Sequence, residues 1–285
     1  MTVPTDSGGG DTPKIALHSA YVLHSNIATD IRAARETGYS GIELWIPKLL
    51  RYLDAEYTVT DLASLLGDLQ VTMMDVLMPI ETREPRQWQH LVDLCARIAP
   101  VAAALGCGAL QVVALDDFAS DDWAEQRAVL AKALGELSDI SRDFGIRLAL
   151  EPVTFSRFRS LDHAVELVEE VGRDRVGLVL DTWHLWTSGV SWDEVAEVDP
   201  ALVCCAHLGD TAPRSGEAWS DDDRSELPGD GVLPLRDAVD AIRATGYDGV
   251  WAVEILSRRH REWEPVVLAG ELMQRARTLL GTPVT

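Results

Sequence analysis

The chain reads as one (β/α)8 barrel of the α/β class. Three observations predict it: eight short apolar runs alternate with eight segments of helical period, composition does not shift along the chain, and several helical segments close on glycine just before the next run. The apolar runs fall at 15–18, 41–45, 71–77, 110–115, 147–151, 176–181, 202–207 and 250–255. The helical segments lie between and after them, at 27–37, 60–68, 88–105, 123–144, 161–171, 192–198, 235–245 and 264–280. The run VGLVL before Asp181 carries no charge, as expected of a strand buried on both faces, since a half-exposed strand would alternate apolar with polar residues. Gly38, Gly145 and Gly246 follow helical segments and supply left-handed C-terminal caps. One connection breaks the pattern. Residues 208–232, between the seventh run and its helix, have no periodicity, whereas a βα loop usually has roughly 2–6 residues. Such a loop is expected to act as a lid or to read the substrate.

At 285 residues the chain has ample material for a single large domain, taken as 14–285, preceded by an N-terminal tail of 1–13 expected to be disordered. The net charge of −21, from 25 Lys+Arg against 46 Asp+Glu, argues against nucleic acid, whose phosphates would be repelled over most of the surface. The four cysteines form no C-x-x-C pair and read as small core residues of a reducing compartment. With no run near the roughly 20 apolar residues of a membrane span, and no basic start with an apolar middle at the N-terminus, a cytoplasmic enzyme without a membrane partner is the expectation.

Barrel active sites lie at the C-terminal ends of the strands. There the sequence places Glu43, Glu151, Asp181, His207 and Glu254, on runs two, five, six, seven and eight. Glu151, Asp181, His207 and Glu254 come from consecutive strands and would converge over one part of the rim. Three carboxylates held together repel one another unless a cation lies among them, so these four are the predicted ligands of one divalent metal ion. Three oxygen donors and one imidazole suit Mn²⁺, Zn²⁺, Co²⁺ or Fe²⁺ better than Ca²⁺, with Mn²⁺ slightly favoured. Glu43 is expected to stand behind the ligands. Lys48, in WIPKLL, reads as a solvated loop lysine, and His18 as a residue near the pocket floor. Trp45, Trp183 and Trp186 fall near the same face, as sugar-facing walls or as packing.

LALEP at Glu151, GLVLDTWH at Asp181 and His184, AHLGD at His207, DRSELPGDG from Asp223 and GYDGVWAVEI at Glu254 resemble the xylose isomerase-like barrel family of sugar isomerases and epimerases. Within that family the resemblance is strongest to the inosose (2-keto-myo-inositol) isomerases. It implies the same four metal ligands, contacts from His184 and Arg224 to substrate oxygens, a small sugar or cyclitol as substrate, and a homo-oligomer. A metal that chelates a ketone oxygen and the neighbouring hydroxyl acidifies the C–H between them by stabilising the enediolate. Glu151 and Glu254, on opposite sides of the substrate, are then the catalytic proton carriers.

Three other classes use related parts. A metal-dependent lyase, either a dehydratase of a cyclic hydroxyketone or an enzyme that eliminates an aglycone from a 3-keto sugar, would need the same cage with a different pocket. A DNA-repair endonuclease on this barrel would need three metals and further histidines, where this chain has Asp75 and Leu115. A sugar-binding barrel without catalysis has no need of a charged cage.

Overall fold

The computed structural model describes residues 12–214 and 218–281. Strands β1 (Lys14–His18), β2 (Gly41–Trp45), β3 (Gln70–Leu77), β4 (Ala109–Val113), β5 (Arg147–Glu151), β6 (Val176–Asp181), β7 (Val203–Leu208) and β8 (Val250–Val253) form a closed parallel barrel in chain order. Outside it lie α1 (Ile27–Glu36), α2 (Ile46–Asp54), α3 (Val59–Leu66), α4 (Pro85–Ala104), α5 (Trp123–Ser141), α6 (Leu161–Val171), α7 (Thr182–Thr187), α8 (Trp192–Ala196), α9 (Leu235–Ala244) and α10 (Pro265–Leu279). The chain is therefore a single-domain TIM barrel, as its periodicity predicts. The expected tail falls almost wholly on residues 1–11, outside the described residues.

Two short helices occupy stretches read as loops. Helix α2 starts at once after β2, with Pro47 in its first turn, where proline's missing N–H costs nothing. Helix α7 starts directly after Asp181, whose Oδ1 accepts hydrogen bonds from the Trp183 and His184 amides at 2.7 and 2.9 Å. The glycine caps form as expected, with φ of 82° at Gly38, 72° at Gly145 and 92° at Gly246. The long connection after β7 is more ordered than its lack of periodicity suggests. It contains a short 3-10 turn at Asp221–Asp223 and an isolated antiparallel bridge between Asp210 and Glu226.

Strand alternation decides what the barrel presents inside. On β5, Leu148 and Leu150 pack beneath the helices while Ala149 faces the axis, which turns Glu151 inward at the strand's end. The same rule on β6 puts Leu178 and Leu180 outside and Val179 inside, so Asp181 also faces the axis. Ala16, Met73, Ala149, Val179, Cys205 and Ala252 form the inner core. These mostly small side chains fill the barrel and leave its C-terminal end to polar groups. Among the described residues, no helix is long and apolar enough to cross a membrane.

Candidate active site

Strand register brings the acids together. Asp181 pairs with His207 across β6 and β7, and the Glu254 amide donates to the Leu208 carbonyl at 3.1 Å, just beyond the end of β8. Ligand-type atoms of Glu151, Asp181, His207 and Glu254 all lie within 4.8 Å of one another, and all four residues are buried. His207 Nδ1 lies 2.9 Å from Glu254 Oε2 and 3.7 Å from both Glu151 Oε1 and Asp181 Oδ2. Glu151 Oε1 and Asp181 Oδ2 are buried without a hydrogen-bond partner. Buried carboxylate oxygens are stable only when compensated, so this donor set fits a small divalent cation.

The two oxygens of Asp181 are used differently. Oδ1 caps α7 and Oδ2 faces the cluster. Burial, reinforced by Asp181, drives the Glu151 carboxyl well above the usual carboxylate range, and burial also raises Asp181 against the pull of Arg224. Burial disfavours the charge on Glu254 too, but Arg224, His18 and His207 together overcome it and hold that carboxyl well below its ordinary value. For His207 burial opposes protonation, and Glu43, Cys205 and Glu254 outweigh it, raising its pKa well above that of free imidazole.

Behind His207 stands Glu43. Its Oε2 lies 3.1 Å from Nε2, on the side of the ring away from the three acids, and its Oε1 accepts from the Cys205 thiol at 3.1 Å. His18 ends β1 in the same network, with Nε2 3.0 Å from Asp75 and 3.9 Å from Glu43. Its Nδ1 accepts from the Ala20 amide at 3.2 Å.

His184 and Arg224 meet beside the cluster. Arg224 is 2 % exposed, so it is no surface residue of an acidic loop. Its Nη1 lies 3.3 Å from Asp181 Oδ2 and closer still to Glu254 Oε2, its Nη2 is 2.5 Å from His184 Nε2, and the guanidinium sits 5.1 Å above the Trp183 ring. His184 Nδ1 accepts from the Thr154 amide at 3.2 Å, and burial together with Arg224 drives its pKa well below the free value. A neutral imidazole and a fixed cation side by side offer hydrogen bonds to substrate oxygens.

Three residues that sequence reasoning passed over complete the arrangement. Gln111, in the middle of β4, donates from Nε2 to Glu151 Oε2 at 2.9 Å; Asp75 pairs with His18. Each is a polar residue inside an apolar run, a signal the strand pattern does carry. The third, Asp210, accepts from the amides of Thr211, Gly229, Gly231 and Leu233 at 2.8–3.1 Å and folds the loop that carries Arg224. A side chain at Gly231 would meet Asp210 Oδ1 at 2.2 Å, so only glycine allows this approach. Those partners lie up to 23 residues downstream, and no local spacing announces them.

One expectation needs correction. Lys48 is not solvated: it lies in α2, 1 % exposed, with Nζ bonded to the Ser19 and Val22 carbonyls, Ser25 Oγ and Asp30 Oδ2 at 2.5–2.8 Å. An apolar helix face carried it into the polar end of the barrel. Of the two readings open for the tryptophans, packing holds for Trp183, which is fully buried beneath Arg224, while Trp186 is only partly buried and packs edge-on against Trp219 at 6.1 Å.

Residues 31–279 match the xylose isomerase-like TIM barrel family, and the chain belongs to that family. It is 26% identical over 248 residues to the inosose isomerase of Bacillus velezensis, covering 85% of this chain and 88% of that protein. To the inosose isomerase of Halalkalibacterium halodurans it is likewise 26% identical over 248 residues, covering 85% and 87%. The crystal structure of IolI protein with a binding zinc atom superposes with a TM-score of 0.88 at 24% identity, covering 94% of this chain and 98% of that one, a likeness of fold.

Proposed function

We propose that the protein is a divalent-metal-dependent isomerase or epimerase whose reacting ring is a keto-sugar or an inosose-like keto-cyclitol. One observation carries the reading: Glu151 and Glu254 reach a single buried cluster from β5 and the end of β8, each with one oxygen engaged and one free. Gln111 holds Glu151 Oε2, while Arg224 and His207 hold Glu254 Oε2. Glu151 Oε1 makes no hydrogen bond. The inosose isomerase relatives and the zinc in IolI support the substrate class and the need for a metal.

Glu151, Asp181, His207 and Glu254 would hold the ion. When bound, it supplies the Lewis acidity that makes a C–H beside a ketone removable. The free oxygen of one glutamate takes that proton, and the C–H electron pair moves toward the carbonyl carbon as negative charge develops on the ketone oxygen. His184 and Arg224 hold substrate oxygens and steady that charge. Return of the proton to the former carbonyl carbon, with the proton of the neighbouring hydroxyl passing to the former ketone oxygen, isomerises the substrate. Delivery to the same carbon from the other glutamate, across the ring, epimerises it.

The test is NMR in D₂O of the metal-supplied protein with a panel of inososes, ketohexoses and 3-keto glycosides, before and after chelation. Metal-dependent deuterium uptake next to the carbonyl is the expected result. Release of a leaving group with new alkene signals would make the protein a lyase, and no exchange in any substrate would overturn the reading.

A further inference from the structure

The cluster accounts for one reacting ring, yet the barrel mouth holds more room than that. A cleft of about 620 Å³ opens on the side of β5 and β6. Its walls come from the loops after β4, β5 and β7 and from the end of α7. Pockets of roughly 300–1,000 Å³ hold drug-sized ligands, so the cleft has room for a ring beyond the reacting one.

The cleft is joined to the substrate-contacting pair through shared residues. Thr154, in its wall, donates its amide to His184, and the Phe155 ring packs edge-on to the same imidazole at 5.5 Å. Trp219, which lines the cleft from the loop after β7, packs on Trp183 at 5.8 Å, and Trp183 lies under Arg224. A ligand that touches His184 with one ring therefore has the cleft directly beside it.

The lining has the chemistry of a sugar site. The aromatic faces of Phe155 and Trp219 alternate with hydrogen-bonding groups, among them Asp121, Ser188 and Arg159. Ser188 Oγ is buried without a partner, and Arg159 makes no ion pair or hydrogen bond among the described residues. Its neighbour Arg157, by contrast, is occupied by Asp116, Asp121 and the Phe118 carbonyl. A purely apolar group would strand these donors. A ring with hydroxyls at its edge and C–H bonds on its face satisfies both kinds of surface.

We infer that this cleft is a second-ring subsite: the substrate class is a glycoside, in which the keto ring at the metal cluster carries a second sugar ring lying between Phe155 and Trp219 within reach of Arg159. The inference rests on the keto-sugar reading above, and two ligands with the same reacting ring separate the two. Titration calorimetry on Zn²⁺-loaded protein compares the 3-keto derivative of trehalose with methyl 3-keto-glucoside, in wild type, Arg159→Ala and Trp219→Ala. The expected result is at least tenfold tighter binding of the two-ring ligand in wild type, with that ratio falling at least fivefold in each variant while thermal melts stay cooperative. A ratio near one, with both ligands bound, overturns the subsite and leaves the keto-sugar reading standing. A high ratio insensitive to both substitutions also overturns it, because the second ring then lies elsewhere. Absence of binding and of deuterium exchange with either ligand overturns the keto-sugar reading and the subsite with it.

Discussion

Two buried clusters of charge lie at the C-terminal end of this barrel, and they are built on opposite principles. Around Lys48, one cation meets one carboxylate: Nζ reaches two carbonyls, a hydroxyl and Asp30, and Asp30 accepts a second bond from Ser25 at 2.5 Å. Charge is balanced and the donors are used. On the β5 to β8 side, Glu151, Asp181 and Glu254, with Glu43 behind them, crowd around His207 and Arg224, and buried carboxylate oxygens are left without hydrogen bonds. Burial raises the Asp30 carboxyl and lowers the Lys48 ammonium, so the first cluster is strained too, but nothing in it is left open to a ligand. A satisfied buried network holds loops in place, whereas an unsatisfied one in which carboxylates outnumber cations asks for a further cation. The difference separates structural polarity from functional polarity where burial alone does not.

The comparison breaks first on the two glutamates. Glu151→Gln and Glu254→Gln keep the shape and remove the proton carrier, so deuterium exchange by NMR is expected to fall by at least about 10³-fold, roughly 4 kcal/mol or more of transition-state stabilisation, with the thermal transition retained. Full exchange in either variant would move that residue out of the mechanism. Lys48→Met tests the other cluster. It leaves Asp30 and two carbonyls buried without their partner, and denaturant unfolding is expected to show a loss of about 3–5 kcal/mol. Turnover per folded molecule should change far less than in the glutamate variants. An equal loss of turnover would show that the Lys48 network serves the chemistry directly. Asp210→Ala lies between the two regions, for it is a satisfied buried carboxylate whose product is a functional loop. About 2–3 kcal/mol of stability should be lost as its backbone donors go unpaired, accompanied by a higher KM, since Arg224 is carried on that loop. A change in stability with KM untouched would detach Asp210 from substrate binding.

The barrel was legible in the sequence because its signals are local. Apolar runs, helical period and glycine caps each act over a few residues, and even the strand-end positions of Glu151, Asp181, His207 and Glu254 follow from where the runs stop. Lys48 was misread because WIPKLL looks like a loop when β2 is taken to need a connector, while the chain turns straight into α2. The site's support was mostly illegible for a different reason. Asp210 works through amides of a loop that returns to it, and Arg224 reaches Asp181 from 43 residues away in sequence, so their value exists only after the chain has folded. Gln111 and Asp75 were visible as polar intrusions in β4 and β3 and needed only the inward-outward alternation to be read.

Glu43 sharpens the comparison most finely, because it belongs to the crowded cluster yet stands on the far side of His207 from the other three acids. Both of its oxygens face partners, Cys205 on one side and His207 Nε2 on the other, and it is fully buried. If it orients the imidazole rather than binding the ion, Glu43→Gln should preserve the fold and weaken Zn²⁺ affinity by about 10–100-fold, as measured by competition with a chelator, because a neutral amide holds the ring less firmly and makes Nδ1 a poorer donor. Loss of all binding would promote Glu43 to a ligand. Unchanged affinity would assign it to the same class as Lys48, a charge buried to hold the barrel end together.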